Sequence, residues 1–168
     1  MDKDNINSAI EFATKKFETE GTKNHFLAVL AVLEDEFHVD DAELLIAAVL
    51  HDTLEDTNTT YEELEKTFSR QVADLVEEVS HPKNYNKEQK IEFYKKLRTI
   101  TPRAKILKLA DFVDNLRSEI RLRKENPKSP YHNQYVLLIR ELLESYPGSD
   151  AKNIALQLAK ELETYVTK

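Results

Sequence analysis

Seven consecutive apolar residues, Leu44 to Leu50, run straight into His51-Asp52, and Glu55-Asp56 follows one helical turn later. An unbroken apolar run of this kind belongs inside a core, so the fold must carry four ionisable groups to a core edge. If one helix continues through the whole stretch, His51 lies over Glu55 and Asp52 over Asp56. Burying such groups is costly unless they are paired, protonated or bound to a cation. A divalent metal explains a neutral imidazole beside carboxylates. A solvated helix end with a capping aspartate explains the spacing equally well.

The rest of the chain constrains the fold through what it lacks. Two glycines and five prolines in 168 residues disfavour a turn-rich β-protein and favour helices. The length suits one domain, spanning 1–168, with a single sizeable core. Cysteine is absent, which excludes disulfides, zinc–thiolate sites and cysteine nucleophiles. The start, Met1 to Asn7, is polar and has no signal-like apolar segment, and the longest apolar run is too short to span a membrane. A cytoplasmic location is the default expectation.

Periodicity predicts an all-α protein of about eight helices. Apolar residues at 6, 9, 10, 13 and 17 mark the first, with Gly21 as its stop. A second starts near Asn24, with His25 in its first turn. Asp40 or Asp41 caps the helix leading to His51. Thr60-Tyr61-Glu62-Glu63 reads as a capping box, and Ser69 caps a helix whose buried stripe is Val72, Leu75, Val76 and Val79. His81-Pro82 stops that helix, Lys83 to Lys90 reads as a polar loop, and Ile91 to Arg98 as helix. Thr101-Pro102 opens a long helix to about Glu125, with Ile106, Leu109, Ala110, Val113, Leu116 and Ile120 as its apolar arc. Asp111 borders that arc and Asn115 lies one turn on. Asp114 and Arg117 fall inside it, where an internal ion pair between them is one reading. Two further helices follow, from Tyr131 to Tyr146 and after Ser149-Asp150.

Net charge is −7, yet Lys83 to Lys124 holds thirteen Lys/Arg against five Asp/Glu. A basic segment beside an acidic site can draw in a small polyanion, although solvated helix faces are the commoner meaning of such runs. Lys105 and Lys108, just before Asp111, are the leading cations for that role, on a flank off the apolar arc. The partner expected on charge is a small polyanion rather than nucleic acid or a membrane surface.

The order His25 … His51-Asp52 … Asp111 resembles the H…HD…D pattern of the HD-domain phosphohydrolases. Ala47 to Thr57 with Thr59-Thr60, Val76-Glu77-Glu78-Val79-Ser80, and Ala104 to Asp111 with Asn115-Leu116-Arg117 resemble, more narrowly, the hydrolase domain of the RelA/SpoT-type alarmone enzymes and the small alarmone hydrolases. The resemblance covers nearly the whole chain. It implies one divalent metal, commonly manganese with iron or zinc as alternatives, on His25, His51, Asp52 and Asp111. It implies Glu55 and Asp56 as the pair that positions and deprotonates the attacking water. Asn115 would lie near the substrate's ribose and phosphate, and Tyr135 joins Lys105 and Lys108 as a candidate substrate contact. The implied reaction releases the 3′-pyrophosphate of (p)ppGpp. One stretch departs from the family. Phe17 to Phe26 lacks the Gln-x-Arg and Pro-Tyr of the alarmone hydrolases, which leaves Lys15, Lys16 and Lys23 as the candidate cations there. The competing readings are an HD hydrolase of another nucleotide or phosphate ester and a non-catalytic nucleotide-binding module.

Overall fold

The computed structural model describes residues 2–17, 20–126 and 133–166, with side chains described throughout except at 2–3, 20–23, 133–135 and 166. Among the described residues there is helix and no strand. The elements are α1 (Asp2–Lys16), α2 (Glu20–Ala31) running into a π turn (Val32–Glu36), α3 (Ala42–Leu50), α4 (Thr53–Asp56), α5 (Tyr61–Thr67), α6 (Arg70–Val79), α7 (Lys87–Lys96), α8 (Pro102–Glu125), α9 (Asn133–Ser145) and α10 (Asp150–Val166). The apolar run explains the layout. Every residue of α3 from Leu44 to Leu50 is buried, so α3 is covered on all sides. It packs against α1, α2, α6 and α8, and α10 closes over α8 and α9.

Local chemistry sets the element ends. The Asp41 carboxylate accepts from the Leu44 N–H and starts α3. Thr60, Ser69 and Thr101 cap α5, α6 and α8 in the same way, and Pro102 occupies the first turn of α8. The Thr60 box is only half formed, because the Glu63 carboxylate pairs with Lys16 at 2.8 Å. Gly21 does not end α1 but lies inside α2. The stretch expected as a loop up to Lys90 is helical from Lys87. There Asn86 and Gln89 close a full capping box, a signal of the N-x-x-Q type that the sequence does carry.

Beyond the π turn, His38 is left-handed at φ 53°, and the Val39 N–H returns to the Leu33 carbonyl at 2.9 Å. The π turn brings Glu36 to Arg117 of α8, with bonds of 2.5 and 2.8 Å. The Asp114–Arg117 pair suggested by the sequence is therefore not what Arg117 makes. Asp114 turns instead toward α2.

Candidate metal centre

The core helix stops where its polar residues begin. The Leu50 carbonyl accepts from the Thr53 hydroxyl at 2.6 Å, and the Ser80 hydroxyl lies 3.0 Å from the His51 carbonyl and 2.7 Å from that of Val76. These bonds satisfy the helix-end carbonyls inside the protein, where water is scarce. They also turn the chain at His51-Asp52, so α3 and α4 are separate and the continuous helix considered above does not form. His51 consequently does not stack on Glu55. Its Nδ1 donates to the Ala48 carbonyl at 2.8 Å, and its Nε2 points out of α3.

On the other side, α2 presents His25 with the same logic. Its Nδ1 is 2.7 Å from Asp114 Oδ2, which fixes Nδ1 as the protonated atom and turns Nε2 inward. The two Nε2 atoms face each other at 3.2 Å. His25 Nε2 is 3.6 Å from Asp52 Oδ2 and 3.2 Å from Asp111 Oδ1, and His51 Nε2 is 3.2 and 3.7 Å from Asp52 Oδ1 and Asp111 Oδ1. His51 and Asp111 are buried, at 2% and 4% exposure. Two nitrogen lone pairs aimed at one point repel unless a proton or a metal ion stands between them. Donors bound about 2.1 Å from one ion sit roughly 3.0–3.4 Å apart, from right-angled to tetrahedral arrangements. The donor set therefore fits a divalent ion. His25, His51 and Asp52 offer atoms all within 4.8 Å of one another, and Asp111 adjoins both rings.

The electrostatics point the same way. Burial works against a charged His25, but the bonds to Asp111 and Asp114 and the charges of Asp111 and Asp52 outweigh it and raise its pKa to about 10. Burial opposes the charge of His51 as well, and Asp52 and Asp111 again prevail and raise it. For Asp111, burial favours the neutral acid, yet Lys108 and the two histidines hold it well below the usual carboxylate range. The cage favours positive charge at its centre.

The surrounding residues fall into place around it. Lys108 is not a solvated steering charge: its Nζ lies 2.7 Å from Asp111 Oδ2 and its side chain is mostly buried. Asn115 Nδ2 donates to Asp111 Oδ1 at 2.6 Å. Lys105 lies over the Tyr146 ring at 5.2 Å. The Tyr135 side chain lies outside the described residues, as does that of Lys23. Lys16 is taken up by Glu63 and Phe12. Glu55 is partly buried, with its Oε1 3.2 Å from His81 Nε2, and Asp56 Oδ1 is 3.2 Å from Lys83 Nζ. Burial raises the Glu55 pKa, helped by Asp52 and Asp56 and opposed by His81 and Lys108. Sequence reasoning missed Asp114 as the partner of His25, Ser80 as the support of the His51 corner, and His81 as the partner of Glu55. The charge of Asp114 inside an apolar arc was the one available signal.

A cavity of about 530 Å³ opens beside the donors, lined by Asn24, His25, Ala28, Asp114, Asn115, Ser118 and Arg121. That is a small-molecule volume. Another cavity, of about 630 Å³ between α1 and the α5–α6 junction, contains none of the expected metal ligands and, of the candidate cations, Lys15.

A family model for the HD domain matches residues 6–136. The chain belongs to the HD-domain family. It is 34% identical over 155 residues to the guanosine-3′,5′-bis(diphosphate) 3′-pyrophosphohydrolase MESH1 of Xenopus tropicalis, covering 87% of each chain. It is 35% identical to the Homo sapiens MESH1, covering 84% of each. A solved structure, "A metazoan ortholog of SpoT hydrolyzes ppGpp and plays a role in starvation responses", superposes with a TM-score of 0.76 at 26% identity, covering 97% of this chain and 94% of that one. This HD-domain protein is a metal-dependent hydrolase. Among the described residues, no helix is long and apolar enough to cross a membrane.

Proposed function

We propose that this HD-domain protein hydrolyses guanosine 3′,5′-bis(diphosphate) and its triphosphate analogue, releasing the 3′-pyrophosphate and leaving GDP or GTP. The observation that carries the reading is the pair of imidazole Nε2 atoms 3.2 Å apart, each ring locked through Nδ1, beside a nucleotide-sized cavity. The relatives supply the substrate class. His25, His51, Asp52 and Asp111 hold one divalent ion, and manganese suits this nitrogen and oxygen donor set without thiolate. When bound, the ion lowers the pKa of water and offsets phosphate charge.

The protein's own residues do the rest. Glu55 accepts the proton of the attacking water, and its raised pKa brings it nearer to neutrality, where a general base works best. Asp56 lies next to it and orients the same water. Asn115 and Arg121 line the cavity beside His25 and meet the ribose and phosphates. Residues 1–168 act as one catalytic unit.

A second reading, another nucleotide as substrate, draws on the Phe17–Phe26 stretch. Lys16 is occupied by Glu63, and Lys15 lines the other cavity, so neither faces the donors. The test is direct. Metal-loaded protein should release pyrophosphate from guanosine 3′,5′-bis(diphosphate), resolved by anion exchange, and an Asp52→Ala variant should not. Turnover of other nucleotides with none of this one would establish the second reading instead.

A further inference from the structure

We propose that His81, which directly follows α6 and Ser80, is the positioning residue for Glu55. The inference rests on the assignment of Glu55 as proton acceptor made above. The imidazole is held on three sides. Its ring stacks parallel to Tyr85, with centroids 5.3 Å apart and 9° between planes. It meets Phe93 edge-on at 4.8 Å and 80°. Its Nδ1 is 2.9 Å from the Pro82 carbonyl, which can only accept a hydrogen bond, so Nδ1 is the donor. As the imidazolium the ring donates from both nitrogens, so its second N–H, on Nε2, faces Glu55 Oε1 at 3.2 Å, and the side chain is only 15% exposed.

A glutamate has three side-chain torsions, and α4, which carries Glu55, is a single turn. Nothing in α4 itself fixes where the carboxylate points. His81 supplies that constraint from a different element, and it occupies Oε1 while leaving Oε2 for water. Catalytic contributions of acid–base groups depend on holding the reacting atoms in place, so the loss of such a partner registers in turnover rather than in substrate binding. The neighbouring Lys83–Asp56 pair, with its lysine largely exposed, contributes far less.

The test separates packing from positioning. His81→Phe keeps an aromatic ring between Tyr85 and Phe93 but has nothing to offer Glu55. His81→Gln loses the stack but can place an amide N–H near Oε1. Pyrophosphate release from guanosine 3′,5′-bis(diphosphate) is measured for each variant alone and in the Glu55→Gln background, alongside bound metal and thermal melting. H81F should lower kcat by about 10–100-fold, the range found for groups that orient a site's functional residues, with KM and metal content unchanged. H81Q should recover most of that loss, and H81F should cost nothing further once Glu55 is Gln. If H81F turns over like wild type, or H81Q is the more damaged of the two, or H81F lowers the E55Q rate by the same factor, the proposal is overturned. An activity-independent arm uses ¹⁵N-histidine NMR, where E55Q should shift the His81 Nε2 resonance. An unmoved resonance overturns the pairing whatever the substrate. A moved resonance in a protein inert toward guanosine 3′,5′-bis(diphosphate) upholds the pairing and rejects only the substrate assignment.

Discussion

Asp114 shows how much one side chain can decide. Read along α8 it is a charge in the wrong place, inside an apolar arc. In the folded protein it holds Nδ1 of His25, a residue 89 positions away in sequence. Without it, His25 would be free to rotate or change tautomer, and its Nε2 would no longer be committed to the cage. Asp114→Ala should therefore weaken divalent-metal affinity by about 10–100-fold, as read by titration calorimetry, while leaving the fold intact. Unchanged affinity would mean that α2 itself orients the ring. Glu55 predicts the opposite pattern. Glu55→Gln should bind metal normally and lose about 10²–10⁴-fold in turnover. Near-normal turnover in that variant would pass the role of proton acceptor to Asp56. Spacing along one stretch singles out His51, Asp52 and the Glu55-Asp56 pair, and the family resemblance adds His25 and Asp111 as candidates. Asp114, Ser80 and His81 act through contacts between elements, and no spacing within one helix reveals such contacts.

At the scale of elements, apolar periodicity and caps located most helices. Asp41, Thr60, Ser69 and Thr101 all accept a backbone N–H at the expected start. The departures have local causes. The spacing leaves open whether the helix runs on past His51, and Thr53 and Ser80 decide it: they satisfy its last carbonyls and allow the turn that separates Asp52 from α3. The π turn has no sequence signature, yet it delivers Glu36 to Arg117 and so ties the end of α2 to α8. The bond from Arg117 lowers the Glu36 pKa below its ordinary value of 4.5, despite partial burial. The sign follows from linkage: a depressed carboxylate contributes stability that is present above pH 4.5 and lost as pH falls through the folded-state value. Glu36→Gln should lower denaturant stability near neutrality, and the difference from wild type should shrink as the pH falls below 4.5. A constant difference across that range would mean that the Glu36–Arg117 pair contributes nothing through its charge.

For the whole molecule, the cage joins three separate parts of the helical assembly: α2, the α3–α4 corner and α8. An ion that binds only the folded state stabilises it by mass action, by about 2.7 kcal/mol at one hundred times its Kd. For a chain of this size that corresponds to a melting temperature higher by roughly 5–10 °C. Chelation should reverse the gain and manganese should restore it, as followed by scanning calorimetry. A melting temperature indifferent to both would show that the cage holds no ion.

The cavity beside the cage divides the protein into parts with different freedom to change. His51 and Asp111 are anchored in the packed interior, where any substitution disturbs neighbours on several helices. Asn24 and Arg121, on the cavity wall, are exposed, and Ser118 between them is half-buried. Mutations at Asn24, Ser118 and Arg121 should accumulate without unfolding the protein or emptying the proposed metal site. On the proposed assignment, the bond-breaking machinery is inherited as a block, while the choice of which nucleotide to present to it can drift. A library confined to positions 24, 118 and 121 would explore new substrates on a constant chemistry.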